Sequence, residues 1–393
     1  MCTRFEPGAL AGDDVTPLCV PRLSGNEWKY VKECLDTNWV SSVGPFVDRF
    51  EQAMASYVGC RKAVATVNGT AALHVALRVL GVQANDEVLV SDLTFIAPVN
   101  AIRYVGAWPV FIDAEPDYWQ MDAGKAVEFL EKRCVWKNGE LHNKGSGRRV
   151  SAILPVHVLG HPVDMDPIVE VARKYELKII EDATECLGAK YKGRMAGSLS
   201  DISCFSYNGN KIITTGGGGM LVTDNEAWAA KARYLTTQAK DDPLEYIHNE
   251  IGYNYRLTNV LAAIGTAQME KLDEYVAIKR RTAEYYNRQL EGVPGIRLMA
   301  EAPWAESTFW MYTVLVEREQ YGMGSRELLR KLAGSRIQTR PLWQPMHASP
   351  AYKGVADGDF PVSDRLCRDA LSLPCSVGIT EGQLGKVVRA IRE

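Results

Sequence analysis

Three observations predict an α/β fold, a mixed, mostly parallel sheet flanked by helices, followed by a smaller C-terminal α+β domain. Between about residues 60 and 225, short β-branched runs alternate with amphipathic stretches. Parallel strands buried on both faces read as short apolar runs, and the amphipathic stretches between them read as crossover helices. After about residue 256 the pattern changes to a long helical stretch rich in Ala, Glu, Lys and Tyr, then to shorter mixed elements. Finally, 393 residues exceed one average domain and suit two. The expected division is 1–255 for a large domain and 256–393 for a small one, with the N-terminal stretch to about residue 25 expected against the small domain.

The elements follow in order. Helix-like sequence at 25–36 and 45–58 precedes the sheet, whose strands are read at 63–67, 87–90, 109–112, 152–156, 178–180, 202–205 and 220–222. A helix at 70–79 follows Asn68-Gly69-Thr70, and one at 166–175 follows Asp164-Met165-Asp166-Pro167, an acidic cap with a proline in the first turn. Residues 134–149 contain Lys137-Asn138-Gly139-Glu140, a hairpin-type turn. A long helix is expected over 257–290, with a strand at 310–316 and helices at 325–333 and 381–392. Within the long helix, Lys279-Arg280-Arg281 reads as a solvated charged face.

Composition narrows the function. Forty-five Lys and Arg nearly balance 48 Asp and Glu, so no broad basic field exists to hold nucleic acid or an anionic membrane, and the expected partner is a small molecule. The nine cysteines are scattered without a Cys-x-x-Cys pair, and the N-terminus lacks an apolar leader-like run. Reduced thiols in a soluble, cytoplasmic protein are the expectation. No metal site is expected: the six histidines share no ligand spacing, and His157 and His161 read as satisfied loop residues.

Chemistry is suggested first by Lys211, which follows Ser206-Tyr207-Asn208-Gly209-Asn210 and precedes the run Gly216 to Gly219. A loop between two buried strands is an unusual place for a lysine, although taken alone the pattern also describes a charged loop. A desolvated lysine has a lowered pKa and serves as an amine nucleophile towards carbonyl compounds. A second constellation is Glu181-Asp182-Ala183-Thr184-Glu185, an acid pair at the carboxyl end of a strand, where open α/β sheets bind ligands. Alternation sends Glu181 and Asp182 to opposite faces. A lone acid there caps a helix; beside a Schiff-base lysine, Asp182 instead suits a protonated ring nitrogen. Thirdly, Asn68-Gly69-Thr70 joins a strand to a helix start, an anion-binding arrangement that is also a generic cap. Phe95 follows another strand end and either completes the core or stacks on a flat ring. Neither a Gly-x-Gly-x-x-Gly nor a Walker A pattern occurs, and no Gly-x-Ser-x-Gly elbow does.

Together these segments resemble the DegT/DnrJ/EryC1/StrS family of sugar-nucleotide aminotransferases, whose fold is that of aspartate aminotransferase (fold type I). The resemblance spans nearly the whole chain and is carried by Glu181-Asp182-Ala183, by Ser206 to Lys211 with the glycine run, and by Gly252-Tyr253-Asn254-Tyr255-Arg256-Leu257-Thr258-Asn259. It implies pyridoxal 5'-phosphate as cofactor, with a pyridoxamine form between half-reactions. It also implies Lys211 as the lysine joined to the cofactor and as the base for the 1,3-proton shift. Asp182 would pair with the pyridinium nitrogen and Glu185 would lie near the phenolic oxygen, a position where other members carry His or Gln. Gly69, Thr70 and Ser206 match phosphate contacts, Phe95 the ring-stacking aromatic, and Asn254 a residue supplied by the neighbouring subunit of a homodimer with active sites at the interface. Relatives that replace the lysine with histidine dehydrate instead; Lys211 is kept here, which favours transamination.

Within the family, Pro21 to Trp28, Trp39 to Gly44, the 134–149 hairpin and the 236–243 segment look most like the LegC-type branch. That branch implies L-glutamate as donor and UDP-4-keto-6-deoxy-N-acetylglucosamine as acceptor, giving the UDP-4-amino-4,6-dideoxy sugar of legionaminic acid or bacillosamine pathways. GDP-4-keto-6-deoxymannose, the perosamine precursor, is the alternative. A pyridoxal-phosphate-binding regulator and a cofactor-free sugar-nucleotide-binding module are the two readings without turnover; no basic domain or DNA-binding helix pair is appended for the former.

Overall fold

The computed structural model describes residues 15–242 and 244–393. The N-terminus read for a leader, and Pro243 of the 236–243 segment, lie outside the described residues. Seven strands build the central sheet: β1 (Lys62–Thr66), β2 (Glu87–Ser91), β3 (Trp108–Ile112), β4 (Val150–Leu154), β5 (Lys178–Asp182), β6 (Ile202–Ser206) and β7 (Gly219–Thr223). Their order is β1-β7-β6-β5-β4-β2-β3, and β7 runs antiparallel to both of its neighbours while the other pairs are parallel. Successive side chains enter opposite layers of core, as the pleat requires. Val88 and Val90 join one apolar cluster and Leu89 the other; Ala152 and Leu154 oppose Ile153 in the same way.

Four helices accompany the first strands of the sheet: α1 (Glu27–Asp36), α2 (Pro45–Val58), α3 (Gly69–Val79) and α4 (Ala97–Tyr104). Proline opens α2, and Gly59 closes it at φ 82°, the left-handed cap that glycine adopts without strain. The helix expected over 257–290 is two helices, Asn259–Met269 and Leu272–Leu290. It breaks where side chains are claimed by the N-terminal segment. Gln268 donates to the Arg22 carbonyl at 2.9 Å and to Glu27 at 2.6 Å, and Glu270 accepts from Asn26 and Tyr30. Asn259 accepts from the Phe46 and Val47 amides at the start of α2, which anchors the first of these helices to α1 and α2.

The C-terminal elements form a three-stranded antiparallel sheet of Ile296–Arg297, Tyr312–Val316 and Ala370–Leu373, covered by helices that include Ser325–Gly334 and Glu381–Arg392. Residues near the N-terminus are pinned to it: Thr16 exchanges backbone bonds with Arg336 and Gln338, and Leu18 accepts from the Cys375 amide at 2.8 Å. Among the described residues, no helix is long and apolar enough to cross a membrane.

Two further sequence expectations need correction. Asp164 stands at the cap position of helix Met165–Lys174, but its carboxylate accepts from the Tyr191 hydroxyl at 2.6 Å and makes no capping bond; Asp166 pairs with Lys192. Lys279-Arg280-Arg281 is not a solvated face. Only Arg281 is exposed; Arg280 is bidentate to Glu301, and Lys279 is wholly buried. The helix there packs against the segments at Trp310 and Cys375, so one residue of a polar triplet points inward.

Candidate active site

The carboxyl ends of β1, β2, β5 and β6 meet at one edge of the sheet, and a cavity of about 400 Å³ opens there. Gly69, Thr70, Phe95, Asp182, Glu185, Ser206 and Lys211 all line it. The hollow of about 610 Å³ beside helix Ser325–Gly334 lacks such a set; two of its arginines pair with its own acids, Arg318 with Glu327 and Arg368 with Asp369.

One end is built from main chain. The Asn68 side chain caps α3 by accepting from the Ala71 amide at 2.8 Å, leaving the first-turn N–H groups facing the cavity end. A Cβ on Gly69 would stand 2.9 Å from the Ser206 Cβ and 3.3 Å from Thr184, so glycine keeps this end open. A Cβ on Gly219 would meet the Asn68 carbonyl carbon and oxygen at 2.4 Å. The glycine run therefore has a spatial reason: the backbone of β7 lies directly on the turn at Asn68-Gly69.

The acids sit in the middle. Glu181 and Asp182 do face opposite ways, and their surroundings make them different groups. Glu181 is fully buried and accepts from His157 Nε2 at 2.9 Å, the Gly197 and Leu199 amides at 2.8 and 2.9 Å, and the Ser203 hydroxyl at 2.8 Å. Burial pushes its carboxyl up, but His157 and these donors outweigh that and hold it below the usual range. It is a structural anchor. Glu181→Ala is expected to cost about 3–5 kcal/mol of folding stability by leaving those donors buried without an acceptor, read by denaturant unfolding. A loss below about 1 kcal/mol would show that water replaces the carboxylate.

Asp182, also buried, accepts from the Thr184 amide at 3.1 Å. Burial pushes its carboxyl above the usual value, and Thr184 and the Lys211 charge offset only part of this. Glu185 is pushed up by burial too, against the Lys211 charge and the Leu159 amide, which donates to it at 2.9 Å. Leu159 holds a left-handed φ of 62°, and its neighbour Val158 is fixed by the Gln120 amide on both sides, so the Glu185 partner is locked in place.

Lys211 Nζ lies 3.4 Å from Glu185 Oε1. It also stands 4.2 Å from the ring centroid of Trp310, whose indole N–H donates to the Asn210 carbonyl at 2.7 Å. A cation over an indole face gains about 0.5–2 kcal/mol. Trp310, Thr184, Asn210 and Trp343 also line the cavity and were not singled out in the sequence. Trp310 is 100 residues from Asn210, and no local pattern marks it.

Two expected residues are exposed in the single chain. Phe95 is on the cavity wall yet 56% exposed, and Asn254 is exposed, bridged to Thr237, and outside its own chain's cavity. His157 and His161 are buried with both ring nitrogens engaged. Among the described residues, no group of three or more His, Cys, Asp or Glu is placed to hold a metal ion.

These residues fit pyridoxal phosphate. A helix start kept free of side chains suits a phosphate, a buried carboxyl with spare acceptor capacity suits a ring N–H, and an amine stands beside them. The model of the DegT/DnrJ/EryC1/StrS aminotransferase family matches residues 21–392. The GDP-perosamine synthase of Caulobacter vibrioides is 41% identical over 376 residues, covering 95% of this chain and 96% of that protein. The GDP-perosamine synthase of Escherichia coli O157:H7 is 38% identical, covering 96% and 98%. Among solved structures, S. venezuelae DesV, in complex with a ketimine intermediate, superposes with a TM-score of 0.84 at 32% identity over 93% of each chain. On the family match and the identity along nearly its whole length, the chain belongs to the DegT/DnrJ/EryC1/StrS family and is a pyridoxal-phosphate-dependent sugar-nucleotide aminotransferase.

Proposed function

We propose that the chain transfers the amino group of L-glutamate to C4 of GDP-4-keto-6-deoxymannose, giving the 4-amino-4,6-dideoxy sugar nucleotide. The chemistry rests on one observation: Lys211, Glu185 and Asp182 share the wall of a cavity that ends at the start of α3. The nucleotide sugar is supported by the identity with two GDP-perosamine synthases. The UDP-4-keto-6-deoxy-N-acetylglucosamine reading rests on the LegC-type motifs alone and takes second place.

Bound in this cavity, pyridoxal phosphate supplies an electron sink for the carbon that bears the transferred nitrogen. The chain does the rest. First-turn amides of α3, with Thr70 and Ser206, bind the phosphate; Phe95 covers the ring. Asp182, disfavoured as an anion by burial, regains its charge when a cationic N–H faces it. Lys211 Nζ carries the proton of the 1,3-shift, and Trp310 keeps water from one side of it. Glu185 holds the amine within reach between transfers.

A second copy of the chain completes the site in this proposal. Trp28, Leu244 and Ile251 are 78%, 85% and 81% exposed in the single chain, and Ile251 lies three residues from Asn254, which would enter the partner's cavity.

Incubation with L-glutamate and a panel of GDP-, UDP- and dTDP-linked 4-keto-6-deoxy sugars, read by product mass, tests the assignment. Amination of the GDP sugar is expected at a rate at least about tenfold above the UDP sugar. The opposite preference moves the assignment to UDP-4-keto-6-deoxy-N-acetylglucosamine, and no amination of any of them supports the reading without turnover.

A further inference from the structure

Lys279, the inward member of the charged triplet, lies behind the Lys211 loop. Its ammonium donates to the Cys375 carbonyl at 2.6 Å and the Trp310 carbonyl at 2.8 Å, and lies 3.5 Å from Cys19 Sγ and 3.6 Å from Cys375 Sγ. No carboxylate is among these contacts. An unpaired buried ammonium costs several kcal/mol, and carbonyl dipoles offset only part of that. The groups beside it that are able to become anions are the two thiols.

They are not equivalent. Cys375 is wholly buried, whereas Cys19 is half-buried and within reach of solvent. The Cys375 thiol, with the Lys279 and Lys211 charges, outweighs burial and pulls Cys19 down to about 6, while Cys375 itself is pushed well up by its bond to Cys19 and by burial. The other half-buried described thiols go the opposite way: burial drives Cys60 to about 12 and raises Cys367. A depressed pKa, a cation and partial exposure together mark a reactive cysteine. Its sulfur is also 3.4 Å from the Asn210 carbonyl oxygen, the same oxygen that accepts from the Trp310 indole, one residue before Lys211.

We propose that Cys19 is a thiol-modification site, a thiolate paired with Lys279 that takes soft electrophiles and peroxides, and whose modification disarms the Lys211 loop through Asn210. With iodoacetamide, the sulfur forms a bond to carbon and iodide leaves. With a peroxide, sulfur takes one oxygen and is oxidised by two electrons, while the O–O bond breaks and hydroxide leaves. Cys375, whose sulfur shares the Lys279 ammonium with Cys19, is the thiol that would resolve that product: its sulfur bonds to Cys19, and the oxygen departs as water with the Cys375 proton.

The holoenzyme is alkylated with iodoacetamide from about pH 5 to 9, and the Cys19 peptide is followed by mass while turnover is sampled. Half-maximal reactivity is expected near pH 6, against about 8.5 for an ordinary thiol. At pH 6 about half the sulfur would be ionised against about 0.3% for an ordinary thiol; its weaker nucleophilicity returns about tenfold, leaving a net gain of about 15-fold. Turnover should fall with the adduct, and Cys19→Ser, which is of similar size and offers a hydroxyl to the Asn210 carbonyl, should retain turnover and resist inactivation. Lys279→Met should move the midpoint up by more than one unit; should it not fold, Cys375→Ser must move it upward as well. A wild-type midpoint in the ordinary thiol range, a midpoint indifferent to whichever of these variants folds, or a fully alkylated Cys19 with normal turnover overturns the proposal. Adduct mass and midpoint are read without the sugar substrate, so they stand apart from the substrate assignment.

Discussion

Lys211→Ala is expected to lower turnover by ~10⁴-fold or more, because one amine acts as nucleophile and as acid and base, two roles that a neighbour does not take over. Glu185, 3.4 Å away, is a carboxyl pushed up by burial and has no nucleophilic nitrogen to offer. The variant should fold. Lys211 faces a Glu185 carboxyl that burial already pushes towards its neutral form, so removing the amine does not strand a strongly held anion, and its backbone amide bond to the Asn208 carbonyl remains. Cofactor held without the lysine's covalent bond, by the α3 end, Asp182 and Phe95 alone, should leave on dialysis faster than from wild type. Turnover with L-glutamate, and cofactor retention by absorbance, are the measurements. Normal turnover in Lys211→Ala would remove the lysine from the mechanism.

Asp182→Asn is expected to cut turnover by ~10²–10³-fold, the scale of losing one preorganised charge at the reacting centre. Its effect on folding should have the opposite sign in the cofactor-free protein. Burial raises the folded carboxyl pKa above its unfolded value of about 3.9. The favourable contribution of such a group is complete below the unfolded value and is lost as pH rises through the folded one. At pH 7 the bare carboxylate is therefore a cost, so the cofactor-free variant should match or exceed wild type in Tm, with the difference vanishing near pH 3–4. With cofactor bound the order should invert. Unchanged turnover would assign ring protonation to another group; a cofactor-free variant less stable than wild type at pH 7 would contradict the burial argument.

The strands and the sheet-edge residues were legible because they obey local rules. An apolar run ending in Asp182, a lysine before four glycines, and Asn68-Gly69-Thr70 at a helix start each carry their signal within a dozen residues. Trp310 was not legible as a site residue, since its place over Lys211 depends on packing between segments 100 residues apart. Lys279 failed for a related reason: a triplet of cations says nothing about which one faces inward, and the two carbonyls that receive its ammonium lie 31 and 96 residues away. The Asp164 cap failed because the Tyr191 hydroxyl, a tertiary partner, competes for the same carboxylate. Substrate identity was hardest, because the LegC-type motifs and the relatives' names point to different nucleotides, and the nucleotide end of the site is not encoded in any short motif.

The contact between β7 and the Asn68-Gly69 turn has a consequence for how such a site diversifies. With Gly219 at this crossing, one main chain rests on another and no side chain stands between them. The spacing between the phosphate end and the strand that closes the lysine loop is consequently not something a side-chain substitution tunes gradually; a change at Gly219 or Gly69 breaks it or leaves it alone. Side chains that a substitution is able to reshape stand at the opposite rim, where Phe95 and Trp343 face the cavity. The same scaffold thereby divides into an end whose spacing main chain fixes and a rim whose shape side chains set.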